Sequence, residues 1–523
     1  MELSTAVEAL IGTFERREAV SGSAIRMNVS RTVSVLAVFY EKVRNAVEFR
    51  AEHLVRRASI ERILKRRILL GGESPTIADN LILELLWARY IDPGIVDQDK
   101  INKIREIIDR YLTVKNQAFK GNSKFDGLTW DDILGLASSE IEEVLVSPVR
   151  REALNNFFYH AIRAKIKLPD QSTDHANMQT FIAVERAFSQ SDEPLISYHL
   201  LKIIDRDWFT GSGGADIKVP LFLKNLLSIK MALHDPVGEQ LFRYVRRQTP
   251  PFLLLRDLFL DLGDQVRITV SDENLLRQKL AEIATRKYEE IGSKVRRAVV
   301  RSFIYIFLTK MVFALALETP YDVYVAKKVA YIPLIINLLF PPVLMVFVAG
   351  FISVPGAENT QRLIERIIKI LYHFGSLSEE PDVFSSKEPE KRPILTAVFT
   401  FFYLITFGLT FFVIHLILSK LSFSWVSQVI FVFFVALVTF FAYRIRQSAK
   451  EYEMVEKQGI LEPVMDFLFL PILRAGQFLS NEIAKLNLLI FLFDFILEAP
   501  LKVIFEVAEE WIRFVRTKKE EII

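Results

Sequence analysis

Apolar positions recur at three- and four-residue spacing through most of the first 298 residues, then give way to unbroken hydrophobic runs. The early pattern has the period of amphipathic helices. Ala78–Ile91, Ile101–Leu112 and Val219–Leu233 are its clearest segments, while Gln265–Val270 alternates like a short strand. Turn signals separate the helices at Gly71–Pro75, Asp92–Gly94, Gly121–Ser123 and Gly211–Gly214. Residues 1–298 are therefore predicted to form an α-helical domain, a helix bundle or a loose helical solenoid. From Ser271, expected to cap a helix with Asp272 and Glu273 in its first turn, no proline occurs until Pro320. A continuous stalk helix is expected to lead from the domain into the first apolar stretch.

Val329–Ser353, Pro393–Leu418 and Leu421–Tyr443 carry no charge, and each exceeds the roughly 20 residues that cross a hydrocarbon core as a helix. Ser302–Leu317 is shorter and holds Lys310 among apolar neighbours. Lengthened by snorkelling of Arg301, it completes a four-helix transmembrane region over 299–443, with spans at about 299–317, 329–353, 393–418 and 421–443. The fold class predicted is all-α: a polytopic helical membrane protein with a large N-terminal helical domain and an amphipathic helical tail over 444–523.

Loop charge sets the expected orientation. Lys294, Arg296 and Arg297 precede the first span, Arg362, Arg366, Lys369, Lys387, Lys391 and Arg392 follow the second, and Arg444, Arg446, Lys450 and Lys457 follow the fourth. The other two loops hold only Lys327, Lys328 and Lys420. Short cytoplasmic loops collect Lys and Arg, and the first residues lack the uninterrupted apolar core of a signal peptide. Both termini are therefore expected in the cytoplasm, with the chain multi-pass in the cell membrane.

Two tail segments, Pro463–Leu479 and Leu486–Leu497, are apolar but interrupted by Asp466, Arg474 and Asp494, which points to interfacial or re-entrant helices. The second continues as an amphipathic stripe kinked at Pro500 and anchored by Trp511. Its Asp494 and Glu498, four residues apart, offer a paired carboxylate site for a cation or proton, against the plainer reading of a polar helix face.

The overall figures are averages over these two parts: 523 residues, 51% hydrophobic, 25% charged, formal charge +3 and mean hydropathy +0.25. They exclude disorder and collagen-like repeats. The absence of cysteine removes thiol nucleophiles, disulfides and Cys-ligated metals. No Walker loop, dinucleotide fingerprint, HExxH or GxSxG motif occurs. His199, Asp205, Asp207, His234 and Asp235 are the best metal-ligating constellation, yet so scattered that caps and surface groups explain them better. No cofactor is called for, and nucleic acid is disfavoured by the small net charge.

Two sites carry more information. Arg50, Arg56, Arg57, Arg62, Lys65, Arg66 and Arg67 form a basic stretch suited to anionic lipid at the inner leaflet, or to a solvated helix whose Leu54, Ile60, Ile63 and Leu64 face the core. Within the apolar runs, Lys310, Glu318 and Asn337 are costly to bury unless paired. Glu318 precedes a segment in which Thr319 reads as an N-cap, Pro320 as the first helical residue and Asp322 as a first-turn carboxylate. Pro341 and Pro342 should kink or break the second span near mid-depth, as in transporters that build ion sites there. The sequence favours a non-enzymatic, membrane-anchored scaffold or interaction protein that binds a protein partner or the inner leaflet, with a homo-oligomer among the partner readings left open. The competing reading is an ion or small-solute transporter using the second span with Lys310, Glu318 and Asn337.

Overall fold

A computed structural model describes residues 3–16, 51–69, 71, 74–119, 127–169, 171–210, 219–325, 327, 331–350, 352, 354–372, 382–384, 393–454, 470–479, 507 and 511. The described residues are helical almost throughout, so the all-α prediction holds. In chain order the first helices are α1 (Thr5–Glu15), α2 (Glu52–Leu69), α3 (Ser74–Trp87), α4 (Gln98–Ala118), α5 (Trp130–Leu145) and α6 (Val149–Arg163). There follow α7 (Thr173–Val184, continued by a π turn over Glu185–Ser189), α8 (Glu193–Ile204), α9 (Arg206–Thr210), α10 (Val219–Leu233), α11 (Pro236–Leu262) and α12 (Val266–Ser271).

Side-chain caps fix several of these starts. Asp97, Ser172, Asp192 and Asp235 each accept a backbone N–H in the first turn of α4, α7, α8 and α11, and Thr129 with Asp132 forms a reciprocal box at α5. The segment 265–270 is helical, not a strand. Val266, Thr269 and Val270 are buried at helical spacing while Ile268 is exposed, so packing overrides the local alternation.

These helices pack around two apolar cores. One joins α2–α5 with α8 and α10 through Ile60, Leu81, Ile104, Ile133 and Phe222. The other, nearer the apolar helices, joins α1, α6, α7, α11 and α12 through Phe14, Phe158, Val245 and Phe259. The start of α13 (Glu273–Phe313) enters this second core with Leu276, Leu280 and Ile283. Asp272, rather than Ser271, caps α13, accepting the N–H groups of Asn274 and Leu275. Beyond Phe313 the helix continues through π turns at Ala314–Glu318 and Tyr321–Val325, which makes one helical run of 53 residues from Glu273 to Val325. Thr319 has helical dihedrals inside that run and is not an N-cap. Widened turns accommodate Pro320, which can neither donate its missing N–H nor avoid the preceding turn in a regular α-helix.

Three further helices are long and apolar enough to cross a membrane: α14 (Tyr331–Gly350), α16 (Pro393–Lys420) and α17 (Trp425–Ala449). Between the first two lies α15 (Ala357–Tyr372), whose Leu363, Ile364, Ile367 and Leu371 are buried in the core shared by α11 and α13. Farther along the same connection, β2 (Asp382–Val383) pairs in parallel with β1 (Ile166–Lys167). After α17, Tyr452 donates a 2.5 Å hydrogen bond to Asp257 of α11. The ends of α14 and α17 and the start of α16 therefore lie on the side of the N-terminal helices. That core extends well past residue 298.

One expectation needs correction here. α14 is a single helix with Pro341 and Pro342 inside it, not a broken one. Residues 470–479, part of a segment expected to be interfacial or re-entrant, pack against the middle of α17. Ile472 lines a small apolar gap with Phe411, Ile414, Phe431 and Val435, and a Cβ on Gly476 would collide with the carbonyl oxygen of Ala436. Only glycine permits that approach.

Candidate functional site

The basic stretch turns largely inward. Arg56 and Arg57 are buried, Arg56 pairing with Glu142 at 3.1 Å and Arg57 with Asp192 at 2.5 Å and Glu61 at 2.7 Å. Arg66 and Arg67 both reach the buried Glu84 of α3, and Lys65 bonds Asp131 at 2.7 Å. Leu54, Ile60, Ile63 and Leu64 are buried as the solvated-helix reading requires. Arg62 belongs to the same helix, and Arg50 lies outside the described residues. Guanidinium groups committed to carboxylates inside the domain are not offered to a lipid surface, which runs against a basic patch built from the whole stretch.

The scattered metal constellation does not converge. Asp205 accepts from the backbone of Trp208 and from Asn225, Asp235 caps α11, and His234 bonds the carbonyl of Lys230. His199 has a different environment. Its ring nitrogens lie 2.8 Å from Glu143 of α5 and 3.0 Å from Glu185 in the π turn after α7. Lys202, one turn along α8, bonds Glu143 and Glu152. Asn155 and Ser191 each donate to Glu185 at 2.5 Å. Burial opposes charge on the imidazole, but Glu185 and Glu143 outweigh it and lift His199 to about 10. Burial likewise pushes the Glu143 carboxyl up, while His199, Lys202 and Arg151 together hold it down at about 2. His53 nearby is driven down to about 3, by burial first and then by Arg151 and Arg56. Glu143, Glu152 and His199 are close enough to share an ion, but the Lys202 ammonium already bridges the two carboxylates. The network is a closed set of ion pairs between helices.

Within the apolar helices the sequence-predicted trio does come together. Lys310 of α13, Glu318 of the first π turn and Asn337 of α14 are 0%, 1% and 0% exposed. The Asn337 amide donates to Glu318 Oε1 at 2.6 Å and to the Ser427 carbonyl of α17 at 3.2 Å, which ties three helices at one point. Lys310 Nζ stands 3.9 Å from Glu318 Oε2 and 4.9 Å from the ring centre of Phe434. Asp322, read from sequence as a capping carboxylate, is buried on the same helix face one turn beyond Glu318. Towards the N-terminal side of Lys310 the interior is apolar, formed by Ile306, Met345, Val438 and Ala442. Asp494 and Glu498 lie outside the described residues.

Sequence reading singled out Lys310, Glu318 and Asn337 because polar residues stand out in apolar runs. It missed Glu143 and Glu185, whose only signal is partnership with residues 56 and 14 positions away. Comparison with known proteins finds no match: no family model, no curated protein and no solved structure is similar to this chain.

Proposed function

We propose that this chain is a non-enzymatic, multi-pass protein of the cell membrane that holds its N-terminal helical domain at the cytoplasmic face to engage a protein partner. One observation carries the reading: the domain and the apolar helices are built as a single piece. The 53-residue helix, α15, β2 and Tyr452 all tie the four apolar helices to the core around α11. A domain held so firmly at a bilayer suits presentation of a surface. Its buried charges are paired with one another, and apolar side chains such as Ile203, Met231 and Ile268 remain exposed on the described surface.

Photo-crosslinking residues placed singly at Ile203, Met231 and Ile268 in intact cells should give a discrete protein adduct at one or more positions. Because the chain has no cysteine, Glu365→Cys and Tyr324→Cys provide the matching topology test with a membrane-impermeant maleimide. Tyr324→Cys should label from outside and Glu365→Cys only after the membrane is opened. Labelling of both from one side, or solute flux in proteoliposomes without any adduct, would replace this reading with another.

A further inference from the structure

The far half of the apolar bundle contains polar atoms that its own side chains leave unanswered. Lys310 Nζ, Glu318 Oε2, Asn337 Oδ1 and Asp322 Oδ1 are all buried without a hydrogen-bond partner among the described residues. Lys310, Ala314, Glu318 and Asp322 follow one another at four-residue spacing and are all buried, so they form one interior face of the helix. Pro341 and Pro342 add to the polarity, since neither has an N–H to answer the carbonyls of Asn337 and Leu338.

Charge and donor type narrow what such a place would hold. One ammonium stands against two carboxylates, which leaves one negative charge without a partner among the described residues. An uncompensated charge in hydrocarbon is costly, and buried unsatisfied atoms point to a bound ion or water. The open acceptors are carboxylate, amide and carbonyl oxygens with no sulfur or imidazole, the ligand set of hard cations. A divalent ion would overshoot the charge by one unit; a monovalent ion cancels it. Tyr324 and Val325, just past Asp322, are exposed at the helix end away from the N-terminal domain, whereas apolar Ile306, Met345 and Val438 are buried on the other side of Lys310.

We propose that Asp322, Glu318 and Asn337 form a binding site for a monovalent metal cation, entered from the side of the membrane opposite the N-terminal domain and ended by the Lys310 ammonium. It is a binding site and not a conduction path, because the buried residues next to Lys310 on the N-terminal side, Ile306, Met345, Val438 and Ala442, are apolar.

The test uses the full chain in lipid nanodiscs, with thermal unfolding followed in sodium chloride or choline chloride at equal ionic strength. Sodium should raise the wild-type midpoint by several degrees in a saturable way. Asp322→Asn, which disturbs no hydrogen bond seen here, should unfold cooperatively in choline yet lose the sodium shift. Lys310→Gln should retain the shift and reach it at lower sodium, since a competing positive charge is gone. Equal wild-type midpoints in sodium and choline would overturn the proposal. So would a sodium shift that survives in Asp322→Asn, or a midpoint that follows pH but not sodium, which would assign the place to a proton.

Discussion

At the scale of single residues, His199 is the most committed side chain in the soluble part. Its imidazolium joins α5, α8 and the turn after α7, so His199→Leu would leave the buried Glu185 with only its neutral donors Asn155 and Ser191 and would take from Glu143 its nearest cation. A loss of about 3–5 kcal/mol is expected, measured by denaturant unfolding. The pH dependence follows from the same pair. His199 is raised from 6.5 to about 10, so its contribution is complete below pH 6.5 and fades as pH rises through about 10. Glu143 is lowered from 4.5 to about 2, so its contribution is complete above pH 4.5 and fades as pH falls towards 2. Unfolding midpoints should decline at both limits, and His199→Leu should remove the alkaline decline. None of this was legible beforehand, because a histidine in an apolar helix segment looks alike whether its partner is a carboxylate 56 residues away or water. Lys310, Glu318 and Asn337 were legible for the opposite reason: an apolar run makes any polar residue conspicuous.

At the scale of elements, helix type and span positions could be read from periodicity and run length, since both are local properties. Boundaries and interruptions could not. Pro320, Pro341 and Pro342 all sit inside helices here, because widened turns or neighbouring helices absorb the missing donors. The Gln265–Val270 alternation misled because burial falls on Val266, Thr269 and Val270. The short helix at 470–479 rests on one residue. Gly476→Leu should push it off α17, since the carbonyl of Ala436 occupies the space a side chain needs. A Cys pair at Ile472 and Val435, otherwise in a cysteine-free chain, should crosslink under mild oxidation. Adding Gly476→Leu should abolish the crosslink; an undiminished yield would show that the helix is held elsewhere.

At the scale of the whole molecule, composition changes near residue 298, but packing runs across that point. Leu363, Ile364, Ile367 and Leu371 are core residues of the N-terminal part, and each contributes roughly 1.5–3 kcal/mol by leaving water. A fragment of residues 1–298 is therefore expected to bind a hydrophobic dye and to lose cooperative unfolding in the part around α11 and α13, while the core of α2–α5 persists. Supplying residues 357–384 as a peptide should reduce dye binding; a fragment that unfolds in one sharp transition unaided would contradict the shared core. The sequence could not reveal this, because α15 is an ordinary amphipathic helix whose apolar face has many conceivable partners.

That sharing also sets an order of synthesis. The core around α11 takes its first residues from α1 and its last from Ala449 and Tyr452. A ribosome making the chain from its N-terminus releases the first of these long before the last, with every apolar helix up to α17 emerging between them. Among the described residues the α2–α5 core takes nothing from beyond residue 233, so it can close early. The neighbouring core has to wait with apolar surface uncovered until the fourth apolar helix has been made, so its completion reports that all four apolar helices have been synthesised.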